Sequence, residues 1–119
     1  MKYVSDGKIC TMKDAPVHTL EERIQRMEDT EAIKGIMYHY TRCTDNLDAE
    51  GIAAMFTENG TFCSPALGNP TGRKAIAELY AKLLPGTKSS THLIANQQIW
   101  FQTNDRAIMH CYLHAWQYF

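Results

Sequence analysis

The order in which two hydrophobic periods follow one another constrains this chain most. From Thr19 to about Thr44, the apolar residues Leu20, Ile24, Met27, Ile33, Ile36, Met37 and Tyr40 recur near helical spacing, behind the capping-box pattern Thr19-Leu20-Glu21-Glu22. From Thr91 to Phe119, β-branched and aromatic residues cluster around Thr103-Asn104-Asp105, the pattern of two long antiparallel strands joined by a hairpin turn. Helices first and strands last imply an α+β fold rather than α/β. Between the two regions, Asp48 is placed to cap a second helix whose apolar residues Ile52, Met55 and Phe56 lie on one side before Asn59-Gly60 stops it. The first two helices are expected to form a hairpin. Gly60 to Ser64 reads as a short strand closed by Pro65. Turn chemistry from Leu67 to Gly72 then leads into a third helix over Arg73 to Leu84, ended by Pro85-Gly86.

Residues 19–119 are read as one domain, since a chain of 119 residues with 45% hydrophobic content suffices for a single core. Residues 1–18 form an N-terminal segment in which Asp6-Gly7 lies between short β-favouring pieces. Tyr3 to Cys10 therefore fits a small hairpin or edge strand and fits a frayed tail equally well. Twelve Lys and Arg against thirteen Asp and Glu leave a formal charge of -1, which gives no field to concentrate nucleic acid or acidic lipid. No run approaches the roughly 18 apolar residues of a membrane span, and the first residues lack the apolar stretch of a signal peptide, so a soluble cytoplasmic protein is expected. Cys10, Cys43, Cys63 and Cys111 are widely spaced with no C-x-x-C pair and read as free thiols.

Few side chains carry an obvious chemical signal. Tyr40 continues the apolar stripe of the first helix and is equally a core residue with a satisfied hydroxyl. Asp45, in Thr44-Asp45-Asn46, equally suits a turn that satisfies local backbone donors. His92 opens the first long strand and shares strand parity with Asn96 if no bulge intervenes. It reads either as a satisfied core group or as a general base oriented by a carboxylate. His110 and His114 mimic a metal spacing, but on a strand they lie about 13 Å apart and cannot share an ion, so no metal is expected. Hydrolase elbows, phosphate loops, dinucleotide fingerprints and zinc-protease motifs are all missing from the sequence.

Residues 24–45, Ala54 to Phe62, Gly72 to Ile76 and Thr91-His92 together resemble the SnoaL-like branch of the nuclear-transport-factor-2-like (NTF2-like) superfamily, over about residues 19–119. That resemblance implies an α+β barrel, the NTF2-like cone, with N-terminal helices packed on a curved antiparallel sheet around a pocket for a small apolar molecule. It is specific for the fold and weak for the reaction. Nearest in motif are the bile-acid and scytalone dehydratases, onto whose helix tyrosine, aspartate and strand histidine Tyr40, Asp45 and His92 fall. The resemblance gives His92 the removal of a proton α to a carbonyl, Asp45 the orientation of its imidazole, and Tyr40 a hydrogen bond to the developing enolate or leaving hydroxyl. No metal or organic cofactor is implied.

The same alignment lines the pocket with Met37, Met55, Phe56 and Phe62 from the helical part and with Asn96, Cys111 and Leu113 from the strands. A slip of one residue in the last strand would exchange Cys111 and Leu113 for His110, Tyr112 and His114. Two departures stand out. A further acidic or histidine group, found in the dehydratases on the penultimate strand, is missing at Cys111, Leu113, Ala115 and Gln117, and Ser64-Pro65 replaces the aspartate–proline of the ketosteroid isomerases. The sheet is also expected to be shortened at its C-terminal end, its edge covered by a homodimer or by Tyr3 to Cys10. The leading expectation is a cofactor-independent acid/base enzyme of dehydratase, cyclase or isomerase type acting on a small apolar cyclic hydroxy-carbonyl compound. The alternatives are a non-catalytic binder of such a ligand and a structural homodimer.

Overall fold

A computed structural model describes residues 12–119. Helix α1 (Leu20–Asp45) is followed by the short α2 (Ala49–Ala53), α3 (Arg73–Leu83) with a 3-10 turn at Leu84–Gly86, and the strands β1 (Ser89–Thr103) and β2 (Arg106–Tyr118). The order is the α+β order read from the sequence, and among the described residues the two strands form a two-stranded antiparallel sheet. The expected hairpin or edge strand at Tyr3 to Cys10, with Cys10 itself, lies outside the described residues. No described helix is long and apolar enough to cross a membrane.

The chain divides into two compact units, Met1–Gly35 with Asn96–Tyr112 and Ile36–Ala95 with Leu113–Phe119. In the first, α1 begins as expected: Thr19 Oγ1 accepts the Glu22 amide at 3.1 Å, and the Glu22 carboxylate reaches back to the His18 amide at 2.8 Å. Arg26 fastens this helix locally, its guanidinium 4.8 Å over the Phe101 ring and bonded to Asn104 Oδ1 at 2.9 Å and to the Ala15 carbonyl. Asp14 and Ala15 pair with both backbone groups of Phe101, accepting its N–H at 2.8 Å and donating to its carbonyl at 2.7 Å.

The second unit holds the core of Cys43, Ile52, Ala53, Ile76, Ala77, Tyr80 and Leu84, with Ile52 and Ile76 fully buried. Asp48 caps α2 by accepting the Gly51 amide at 2.8 Å. A Cβ at Gly51 would collide with the Asp48 carboxylate and stand 2.7 Å from Cys43 Sγ, so any side chain there forces these groups to shift. Gly72 takes φ 89° to start α3, while its N–H bonds the Gly60 carbonyl at 2.8 Å.

Three expectations are corrected. The stripe Leu20, Ile24, Met27 and Ile36 is exposed, and the buried residues of α1 are Thr41, Cys43 and Thr44. The buried end of α1 is the one whose Cys43 joins the core of Ile52 and Ile76. Gly60 to Ser64 is no regular strand but half of an irregular hairpin held by isolated bridges, Thr61 to Thr71 and Ser64 to Gly68, because Pro65 and Pro70 have no N–H for a ladder. In β1 the half-buried residues change from even positions (Ser90, His92, Ile94) to odd ones (Gln97, Ile99) across two exposed residues, Ala95 and Asn96. Asn96 has φ 52°, the left-handed residue and phase change of a β-bulge, so it does not share the face of His92.

The two helical glycines should respond in opposite directions when mutated to alanine. Gly51→Ala is expected to lower the unfolding free energy by about 1–3 kcal/mol through overpacking and loss of the cap. Gly35→Ala, where nothing lies within 4 Å, is expected to raise it by about 0.5–1 kcal/mol. Urea denaturation of both variants reads the two signs.

Candidate active site

The end of α1 is shaped to present a carboxylate. Leu47 adopts φ 58°, its N–H bonds the Thr44 carbonyl at 3.2 Å, and the Asp48 N–H bonds the Cys43 carbonyl at 2.8 Å. This is a Schellman closure with leucine where glycine is usual. It turns the chain away directly after Asp45, whose side chain meets the start of β1. There Oδ1 accepts the Ser90 hydroxyl at 2.7 Å and His92 Nδ1 at 2.6 Å, and Oδ2 accepts the His92 backbone N–H at 3.2 Å. Strand alternation explains the pairing, since residues 90 and 92 lie on one face.

Burial of the Asp45 carboxyl opposes its ionisation, but the bonds from the His92 imidazole, the Ser90 hydroxyl and the His92 amide outweigh it and hold the pKa below the usual carboxylate value. An ionised Asp45 accepts only, so Nδ1 of His92 must carry the proton it shares and Nε2 is the nitrogen left to act. The imidazole is held firmly, its side chain only 5% exposed.

Tyr40 stands edge-on to this imidazole, with ring centroids 6.5 Å apart, and edge-on to Tyr80 at 6.4 Å. The two phenol oxygens are 3.1 Å apart. Tyr80 is buried, and that burial, with the Tyr40 bond next, pushes its hydroxyl far above the usual phenol value, so it stays protonated. A cleft of about 340 Å³ opens on Tyr40, Thr44, Phe62, Tyr80, His92 and Gln117. A second, of about 390 Å³ and almost wholly apolar, is lined by Ile36, Met37, Met55, Phe56 and Leu113, and shares Tyr40 and Phe62 with the first.

The structure thus brings Tyr40, Asp45 and His92 together and lines the adjoining cleft with Met37, Met55, Phe56, Phe62 and Leu113. Asn96, on the bulge, and Cys111, half-buried with a thiol raised by burial, belong to the other compact unit. Leu113 and Gln117 both line clefts, so strand alternation sends His114 and Trp116 to the opposite face, where they stack at 4.4 Å. Tyr80 and Ser90 escaped the sequence reading. Ser90 was within reach by its parity with His92, and Tyr80 as the one hydroxyl on the face of α3 that carries Ile76 and Leu84. Among the described residues no three His, Cys, Asp or Glu side chains cluster as a metal site.

The profile of the SnoaL-like domain family matches residues 25–119. No match to a curated protein was found. Among solved structures, the chain is similar to one from Novosphingobium aromaticivorans provisionally named a scytalone dehydratase (21% identity, 80% of this chain and 64% of that one, TM-score 0.73). It is also similar to the hexachlorocyclohexane dehydrochlorinase LinA (14%, 80% and 65%, TM-score 0.74). A provisionally named NTF2-like dehydratase from Streptomyces avermitilis follows (14%, 77% and 74%, TM-score 0.66). These likenesses show a shared NTF2-like fold, and the chain spans just under two thirds of the length of the first two.

Because the folded pKa of Asp45 lies below its unfolded value, the stability it contributes is complete above the ordinary carboxylate pKa and is lost as pH falls through the folded value. Asp45→Asn should therefore be less stable than the wild type at neutral pH, and the gap should narrow as pH falls below the ordinary carboxylate range. Denaturation midpoints across that range check the sign.

Proposed function

This chain belongs to the SnoaL-like domain family, and from that premise we propose that Tyr40, Asp45 and His92 form the centre of a cofactor-independent acid/base enzyme acting on a small apolar, cyclic hydroxy-carbonyl compound. The observation that carries the reading is the 2.6 Å bond from His92 Nδ1 to Asp45, on an imidazole that lines a cleft. Nε2 takes the proton from the carbon α to the carbonyl, and Asp45 stabilises the imidazolium that forms. Electrons from the broken C–H bond move onto the carbonyl oxygen, where the Tyr40 hydroxyl meets the developing charge. In a dehydration the enolate then expels the β-hydroxyl, which takes the proton from the imidazolium and leaves as water. In an isomerisation the same proton returns to another carbon.

The names of the similar structures, two of them dehydratases and one a dehydrochlorinase, accord with elimination chemistry. The adjoining cleft has no titratable lining group besides Tyr40, and this favours a second reading, a non-catalytic binder of the same ligand class. We also propose assembly as a homodimer through the sheet, supported by the exposed Leu93, Trp116 and Tyr118.

Deuterium exchange α to the carbonyl, followed by NMR over a panel of cyclic ketones and hydroxy-ketones, separates the readings. The enzyme exchanges at least one of them, and His92→Ala slows that exchange about 10²–10⁴-fold. Ligand binding with no exchange by the wild type would establish the binder instead. Light scattering of Trp116→Glu should show a monomer where the wild type is a dimer.

A further inference from the structure

Among the described residues three polar side chains are buried, Thr41, Thr44 and Thr87, and two of them have an evident use for their hydroxyl. Thr41 Oγ1 donates to the Tyr38 carbonyl at 2.8 Å and Thr44 Oγ1 to the Tyr40 carbonyl at 2.7 Å, the ordinary way for a threonine within a helix to satisfy itself. Thr87 is different. It is 7% exposed, it follows the 3-10 turn Leu84–Gly86, and its hydroxyl bonds to no described residue. No fully enclosed side-chain oxygen or nitrogen among the described residues lacks a partner, so the Thr87 hydroxyl is open to the space that its residue lines. That space is the cleft of Tyr40 and His92.

The backbone holds this hydroxyl in place. The Thr87 N–H bonds the Leu84 carbonyl at 2.9 Å, the following Lys88 N–H bonds the Tyr118 carbonyl at 2.7 Å, and the branched Cβ limits rotation of the side chain. From Ser89 to His92 the strand alone advances about 10 Å, so Thr87 stands away from the imidazole and serves a different ligand atom. No Asp, Glu, Lys or Arg lines the cleft, and Leu67, Leu83 and Leu84 supply apolar wall. The amide of Gln117, also in the lining, is exposed and within reach of water.

We infer that Thr87 is a specificity-determining residue whose hydroxyl hydrogen-bonds an uncharged oxygen of the ligand, a hydroxyl or carbonyl remote from the carbonyl that faces Tyr40. A threonine hydroxyl both donates and accepts, so it suits either group and demands no charge. The ligand is therefore an apolar ring compound carrying a further oxygen away from its reacting hydroxy-carbonyl unit. Compounds without that oxygen leave a buried hydroxyl unpaired and are disfavoured for that reason. The inference rests on the reading of this cleft as the acid/base site and narrows the class of compound that the site accepts.

The test titrates the full chain with 1-indanone and with its 4-, 5- and 6-hydroxy derivatives, at a pH where their phenols are un-ionised. The wild type is expected to bind at least one hydroxy derivative about five- to tenfold more tightly than 1-indanone, the scale of one hydrogen bond. Thr87→Val, which keeps the shape and removes the hydroxyl, should abolish that preference and change 1-indanone binding less than twofold. Thr87→Ser, which keeps the hydroxyl, should retain the preference, and a merely structural threonine would not separate the two variants in this way. A wild type without preference, or a preference that survives in Thr87→Val, would overturn the role of Thr87. Deuterium exchange at C2 of the bound indanones reads the acid/base centre separately. Exchange without preference sinks the role of Thr87 alone, and preference without exchange sinks the acid/base reading while leaving Thr87 a ligand contact. Failure of the wild type to bind any of the four compounds would overturn both.

Discussion

Of the three hydrogen bonds that join the last residue of the long helix to the beginning of the first strand, the one between Asp45 and the His92 ring is the one on which the chemistry of the site depends. Asp45 and His92 are 47 residues apart, yet Nδ1 and Oδ1 meet at 2.6 Å because a Schellman turn ends α1 at Asp45 and strand parity places Ser90 and His92 on one face. The three donors collected on one carboxylate explain how it stays ionised despite partial burial. An ionised carboxylate in turn fixes which imidazole nitrogen is occupied. The carboxylate also ties two elements of the second unit together, so the site and the local fold share the same bonds.

The second organising feature is a division of labour across the cleft. One side carries the Asp45–His92 pair, suited to accept a proton, and the other carries two phenols, suited to donate hydrogen bonds. Tyr40 belongs to both, edge-on to the imidazole and bonded to Tyr80. The apolar cleft beyond it, lined by Met37, Met55 and Phe56, offers surface but no chemistry. Reaction and ligand fit are thus carried by different residues that meet at Tyr40 and Phe62.

Much of this was legible in the sequence wherever a local pattern governed the outcome. The capping residues Thr19 and Asp48, the hairpin turn at Asn104-Asp105 and the third helix all follow from side-chain chemistry within a few residues of each position. The resemblance of the motif segments supplied Tyr40, Asp45 and His92. What could not be read was set by distant partners. Exposure of Leu20, Ile24 and Met27 depends on which distant elements pack against α1, and periodicity alone says nothing of that. The bulge at Asn96 broke a parity argument, because a single left-handed residue shifts the face of everything after it. Tyr80 looked like an ordinary aromatic of an amphipathic helix, and only its 3.1 Å approach to Tyr40 distinguishes it.

The most direct test of the central claim is the state of the His92 ring, read from its two 15N resonances and the proton attached to them at neutral pH. The account predicts a strongly deshielded proton on Nδ1, held by the Asp45 carboxylate, and loss of that proton signal in Asp45→Asn. A ring whose Nδ1 carries no proton, or resonances unchanged by Asp45→Asn, would show that the carboxylate does not set the imidazole and would contradict the account.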